Sequence, residues 1–256
     1  MRHGRVACSG AIHSCSEHAD GVRLEDGRVF AETEVVWLPP VEPRTIFAVG
    51  LNYADHAREL ASSRPAEPLL FLKGAGSLAG HRAATRRPAG VAFMHYECEL
   101  AVVIGHPGRN ISRAAALAHV AGYSVANDYA IRDYLENYYR PNLRVKNRDG
   151  CTLLGPWLVD AADVPDPQNL TLRTSVNGTV TQEGSTHDMI FDVAQLIEYL
   201  SSFMTLGTGD VILTGTPQGV VNVNVGDEVV TEIEGLGRLV NFLVDDAVFG
   251  ISPAGA

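Results

Sequence analysis

Two glutamates stand two residues apart in the segment HYECELAVVIG (95–105), which has the composition of a strand. Period-two geometry puts Glu97 and Glu99 on the same face of such a strand. On a solvated surface a pair of this kind merely repels through water. Here the flanking residues are apolar, so the strand is expected to be buried, and buried like charges need a cation or a proton between them. A third carboxylate, Asp128, closes the apolar run GYSVAND (122–128). Three carboxylates make an all-oxygen donor set, which suits Mg²⁺ or Mn²⁺, and admits Ca²⁺, rather than zinc. Asp128 also reads as a helix N-cap for the residues that follow it.

Positive charge is concentrated just downstream, at Arg132, Arg140, Arg144, Lys146 and Arg148, in a chain whose formal net charge is −10. Arginine offers carboxylates a planar two-pronged donor and lysine a point charge, so the cluster suits an anionic substrate. Its alternative is a solvated face paired with Asp133 and Glu136. In NYADHARE (52–59), His56 and Glu59 are three apart, neighbours on a helix, the arrangement of an imidazole oriented by a carboxylate for acid/base work. Surface His/Glu pairs have the same spacing. The loop TGTPQG (214–219) follows the apolar run DVIL, and Gly215 with its neighbour Thr216 lets backbone amides approach an anionic group. It lacks the Walker A lysine pattern, so nucleotide binding is not indicated. His3, Cys8, His13, Cys15 and His18 crowd the N-terminal stretch at spacings that match no zinc module, and no C-x-x-C pair occurs.

The elements that position these residues are mostly strands. Residues 1–40 read as a small β-rich region, with Asp26-Gly27 as a hairpin turn, ending in the proline-punctuated LPPVEP. Residues 41–256 form the main domain. Strands are expected at TIFAVG, LLFLK, ECELAVVIG, GYSVAND, LTLRTSVNG, DVILTG, EVVTEIEG and GRLVNFLV. Helices are expected at ADHARELA, ISRAAALAHVAG, the IRDYLENYY region and FDVAQLIEYLSSF, where Val193, Leu196, Ile197 and Leu200 recur at helical spacing. With 46% hydrophobic residues over 256 positions the chain can bury a sizeable core. Its apolar runs fall short of the ~20 residues needed to span a bilayer, and no signal-peptide pattern opens it, so a cytoplasmic protein with neither membrane nor nucleic-acid partners is expected.

In this order the segments VGLNYADHARE, PLLFLK, HYECELAVVIG, NDYAIRD, the Lys146 segment, LGPWLV and ILTGTPQG resemble the fumarylacetoacetate hydrolase superfamily over roughly residues 41–245. The run NDYAIRDYLENYYRPNLRVKNRDG is most similar to the isomerase/decarboxylase branch of homoprotocatechuate (4-hydroxyphenylacetate) breakdown, whose longer forms fuse two homologous halves; this chain resembles the second half. The resemblance implies a β-rich α+β fold, a mixed β-sandwich or roll core with a small N-terminal β-rich region, assembled as a homodimer or beside a homologous subunit. It implies a metal on Glu97, Glu99 and Asp128, Lys146 facing an α-keto polycarboxylate substrate, Thr216 on a substrate carboxylate, and His56 with Glu59 as an acid/base dyad on a lid. Where many relatives have A-R-D-x-Q this chain has Ile131-Arg132-Asp133-Tyr134-Leu135, and Lys146-Asn147 replaces the usual K-S. The missing glutamine implies decarboxylation or isomerisation rather than hydrolysis, with acylpyruvate hydrolysis, oxaloacetate decarboxylation and a non-catalytic metal-binding subunit as alternatives.

Overall fold

A computed structural model of the chain describes residues 1–55, 65–135 and 143–245. The N-terminal strands form a meander: β1 (Arg2–Cys8), β2 (Ala11–His18), β3 (Gly21–Leu24) and β4 (Val29–Phe30) pair antiparallel in sequence order. The β3–β4 turn is the one expected at Asp26-Gly27, with Gly27 at φ 88° and the Leu24 amide donating to the Arg28 carbonyl at 2.9 Å. The far edge of β1 is shared by β5 (Val36–Leu38) and by β14 (Thr152–Asp160), so the meander continues the large central sheet.

That sheet has 12 strands. Beyond β14 lie β12 (Val120–Asp128), β11 (Cys98–Ile104), β17 (Val211–Leu213), β6 (Ile46–Gly50) and β7 (Leu69–Lys73), with β8 (Leu78–Ala79) beside β14. The sequence dictates which strands are central. β11, CELAVVI, is apolar almost throughout and buried along its whole length, as a strand covered on both faces must be. A second sheet of five strands runs β16 (Thr179–Ser185), β15 (Thr171–Val176), β18 (Glu228–Ile233), β19 (Gly237–Asp245) and β9 (Ala84–Arg87). β19 alternates buried and part-exposed positions, the pattern of a sheet with one covered face. A two-stranded piece pairs β10 (Met94–His95) with β13 (Ala130–Ile131). The main core, including Leu100, Val102, Trp157, Leu172, Leu239 and Leu243, lies between the sheets; a smaller cluster, with Ala101, Val103, Leu154 and Leu213, covers the opposite face.

The helix Val193–Phe203 buries the expected Val193, Leu196, Ile197 and Leu200, and Asp192 with Gln195 closes a reciprocal capping box. The stretch ISRAAALAHVAG departs from expectation: it is a 3₁₀ helix, Arg113–His119. Ile111 is tied to Ser201 and β12 starts at Val120, so a short span must cover the gap, and a 3₁₀ helix rises about 2.0 Å per residue against about 1.5 Å for an α-helix. In IRDYLENYY, Ile131 ends β13 and Arg132–Tyr134 form a 3₁₀ turn; residues 136–139, like most of ADHARELA, lie outside the described residues. No helix among the described residues is long and apolar enough to cross a membrane.

Candidate active site

The antiparallel register of β11 and β12 brings the three carboxylates together. Cys98 pairs with Asn127, and although the strand proper begins at Cys98 the ladder runs one step further, the Asp128 amide donating to the Glu97 carbonyl at 2.9 Å. The Glu97 amide donates to Asn127 Oδ1 at 3.1 Å. Oxygens of Glu97, Glu99 and Asp128 lie within 4.8 Å of one another, and among the described residues no other group of His, Cys, Asp or Glu converges so closely. Asp128 is therefore the last residue of a strand, not a helix cap. The three side chains are buried, with Glu99 1% and Asp128 0% exposed. Glu99 accepts the Gly215 N–H at 2.6 Å. Burial, then the charges of Asp128 and Glu97, push its carboxyl well above the usual range.

Two lysines answer this charge. Lys146, in the short helix Leu143–Lys146, donates from Nζ to Glu97 Oε2 at 2.5 Å and to Asp128 Oδ2 at 3.0 Å. Burial opposes its charge, but Asp128 and Glu97 outweigh it and hold the amine above the ordinary lysine range. Lys73, the last residue of β7, donates to Asp128 Oδ1 and to the Lys146 carbonyl. Sequence reasoning passed over Lys73. The legible signal was its period-two alignment with Leu69 and Phe71, since a lysine on an apolar strand face must find a buried counter-ion. The three ammonium–carboxylate contacts fall on Glu97 and Asp128, leaving Glu99 with a backbone N–H and a strong preference for a proton. An all-oxygen donor set that holds a proton for want of positive charge fits a hard divalent cation.

Arg132 borders the cluster, its Nη2 3.5 Å from Glu97 Oε1 and its Nε donating to His95 Nε2 at 2.8 Å. Burial lowers the His95 pKa to about 3, so the ring is neutral and carries its proton on Nδ1, which faces the Tyr96 carbonyl at 2.9 Å. Asp133 accepts the amides of Ala92 and Phe93 at 2.7 and 2.8 Å, which fixes the 3₁₀ turn that carries Arg132. Arg144 is exposed and stacks on the Tyr134 ring, 3.8 Å from its centroid. His56, Glu59 and Arg140 lie outside the described residues.

The TGTPQG loop closes another side. Gly215 has φ +89°, and a Cβ there would meet Asn52 Cβ at 2.9 Å and the Val49 carbonyl at 3.0 Å, so the approach of its amide to Glu99 depends on glycine. Asn52, fully buried, donates to the carbonyls of Thr214 and Phe191 at 2.7 and 3.0 Å and accepts the Phe191 amide at 2.8 Å. Thr216, 2% exposed, accepts from Gln182 Nε2 at 2.9 Å. Neither Asn52 nor Gln182 was singled out in the sequence, because their roles depend on partners 162 and 34 residues away.

Residues 45–244 match the family model for the fumarylacetoacetate (FAA) hydrolase C-terminal domain. The chain belongs to the fumarylacetoacetate hydrolase family. It is 59% identical, over 84% of its length, to the 4-hydroxyphenylacetate degradation bifunctional isomerase/decarboxylase of Salmonella dublin, and spans about half (50%) of that protein. Among solved structures, 5-carboxymethyl-2-hydroxymuconate delta-isomerase from Mycobacterium smegmatis superimposes with a TM-score of 0.84 at 37% identity, covering 96% of this chain and 100% of that one. Fumarylpyruvate hydrolase from Pseudomonas aeruginosa, in complex with Mn²⁺ and pyruvate, superimposes with a TM-score of 0.74 at 34% identity, covering 81% of this chain and 91% of that one. This member of the family thus has the expected β-rich fold and a buried acidic triad able to bind a metal.

Proposed function

We propose that this chain is a cytoplasmic, Mg²⁺-dependent enzyme that decarboxylates 5-oxopent-3-ene-1,2,5-tricarboxylate, isomerises 2-hydroxyhepta-2,4-diene-1,7-dioate, or does both. The observation that carries the reading is the buried Glu97, Glu99 and Asp128 triad with Lys146 on two of its members, in a chain so similar to half of an isomerase/decarboxylase. Glu97, Glu99 and Asp128 would hold the ion, Mg²⁺ or Mn²⁺ in preference to Ca²⁺. Bound there, it supplies a Lewis acid for an α-keto carboxylate.

The protein's own groups do the rest. Loss of CO₂ from a γ carbon leaves an electron pair that moves through the alkene to the keto oxygen, and the Lys146 ammonium places fixed positive charge beside the carboxylates where that oxygen would sit. Arg132, with Arg144 and Arg140, would receive the distal carboxylates; the stacking of Arg144 on Tyr134 limits the ordering cost of doing so. Thr216 would donate to the carboxylate next to the ketone, beside the Gly215 amide that holds Glu99. His56, oriented by Glu59, would carry the proton between substrate positions. Leu135 stands where a water-positioning glutamine would be needed for hydrolysis, and its side chain has no atom to orient a nucleophile. A homodimer, or a pair with a homologous subunit, is the proposed assembly.

The test uses chelator-stripped protein and follows the ultraviolet absorbance of 5-oxopent-3-ene-1,2,5-tricarboxylate together with CO₂ release, with and without Mg²⁺. Metal-dependent loss of the chromophore with CO₂ is the expected result, and Glu97→Gln should abolish it while the protein stays folded. Rapid cleavage of acylpyruvates with the tricarboxylate untouched would replace this reading with a hydrolase.

A further inference from the structure

Thr216 is the loop hydroxyl assigned above to a substrate carboxylate, and its hydrogen-bonding state is set from another sheet. Gln182, on β16, is 2% exposed, and its amide is fully engaged. Nε2 lies 2.8 Å from the Pro217 carbonyl and 2.9 Å from Thr216 Oγ1, while Oε1 accepts from the Thr174 hydroxyl at 3.0 Å. Only one orientation of the amide is consistent with these contacts. A carbonyl oxygen can only accept, so the amide group facing Pro217 must be the NH₂. Its second proton then points to Thr216, whose oxygen must accept it. Among the described residues, the Thr216 hydroxyl proton has no acceptor, and it is left to donate elsewhere.

We infer that Gln182 is a positioning residue that makes Thr216 a dedicated donor, and so tunes the loop for an acceptor, a substrate carboxylate, against a group that offers only donors. The inference rests on the reading that Thr216 meets that carboxylate. Three neighbouring anchors leave Gln182 this specific task. The loop is already held by Gly215 on Glu99, by Asn52 on Thr214, and by the Tyr96 hydroxyl donating to the Gly219 carbonyl at 2.8 Å. Loss of the Gln182 amide therefore frees the Thr216 rotor without releasing the backbone.

The experiment is a double-mutant cycle on the Mn²⁺-loaded protein, with pyruvate as the probe and its dissociation constant read by calorimetry. Thr216→Val should weaken pyruvate by about ten- to a hundredfold, the usual worth of one hydrogen bond to a charged group. Gln182→Met should weaken it severalfold, the double variant should bind no worse than Thr216→Val alone, and Mn²⁺ affinity should be unchanged throughout. Wild-type binding by Gln182→Met beside a weakened Thr216→Val would overturn the inference and leave the reading of Thr216 intact. Equal weakening by Gln182→Met in both backgrounds would also overturn it, by making Gln182 a support for the loop. A Thr216→Val protein that binds like wild type would remove the reading itself. If Gln182→Met does not fold, Thr174→Val, which frees the amide oxygen, takes its place in the same cycle with the same outcomes.

Discussion

At the scale of single residues, the site is organised by an imbalance of charge. Lys146 and Lys73 reach Glu97 and Asp128 but not Glu99, which among the described residues is hydrogen-bonded by the Gly215 amide alone. Burial and the two neighbouring carboxylates then keep Glu99 protonated further up the pH scale than an ordinary glutamate. A divalent cation binds the ionised form, so it must displace that proton. Mg²⁺ or Mn²⁺ affinity should therefore rise with pH, by up to about tenfold per unit while one proton is displaced. Calorimetry in buffers of different ionisation enthalpy reads the proton directly. About one proton released per ion in wild type, and a much smaller release in Glu99→Gln, is the expected pattern; release unaffected by the substitution would place the displaced proton on another group.

The scale of elements explains how sequence-distant groups meet, and also what the sequence hides. The antiparallel pairing of β11 with β12 sets Glu97 beside Asp128; the grouping of Asp128 with Glu97 and Glu99 came from the family resemblance, while periodicity made the shared face of Glu97 and Glu99 legible. The capped helix Val193–Phe203 was legible for the same reason, a local stripe and a local cap. Asn52 and Gln182 were not, because a polar residue in a loop or within a strand acquires its role only from the element packed against it; for Lys73 the strand periodicity pointed to a buried counter-ion without saying which. The 3₁₀ helix Arg113–His119 was misread as a longer helix because composition carries no information about the span to be bridged. Asn52 shows the consequence best: one amide joins the loop after β6, the segment around Phe191 and the TGTPQG loop. Asn52→Ala leaves two carbonyls and an N–H without their side-chain partner, at a cost of about 3 kcal/mol if each unmet buried group contributes about 1 kcal/mol. Urea unfolding should show that loss, and pyruvate binding should weaken with it because Gly215 and Thr216 follow Thr214 directly. Full stability in this variant would mean that the two loops are held by other contacts.

For the molecule as a whole, acid tolerance is governed by groups that the fold keeps from gaining charge. His81 is 3% exposed, packs edge-on to Trp37 with ring centroids 5.0 Å apart, and accepts the Val240 amide on Nδ1 at 3.1 Å. Its proton is thus on Nε2, and burial, aided by Arg82 and Arg238, lowers its pKa to about 3. Because the ring is neutral in the fold, its approach to Glu32, 3.8 Å away, is not a charged pair. The unfolded chain takes up a proton at His81 near the ordinary value of about 6.5, and the folded chain does not. Unfolding therefore absorbs a proton as pH falls from about 6.5 towards 3, and stability present at neutral pH is lost over that window. His95 adds to the effect with the same sign. Glu99 opposes it in the metal-free protein, since its folded pKa is raised and unfolding releases its proton. The difference between wild type and His81→Asn isolates one imidazole, because the asparagine oxygen can still accept the Val240 amide while the side chain no longer titrates. Between pH 6 and 4 the metal-free wild type should lose stability faster than His81→Asn by about 1.4 kcal/mol per pH unit, measured by denaturant unfolding at fixed ionic strength. Equal slopes would show that the His81 ring gains its proton in the folded protein as readily as in the unfolded chain, and that the contact between Trp37, Val240 and the central sheet admits a charge.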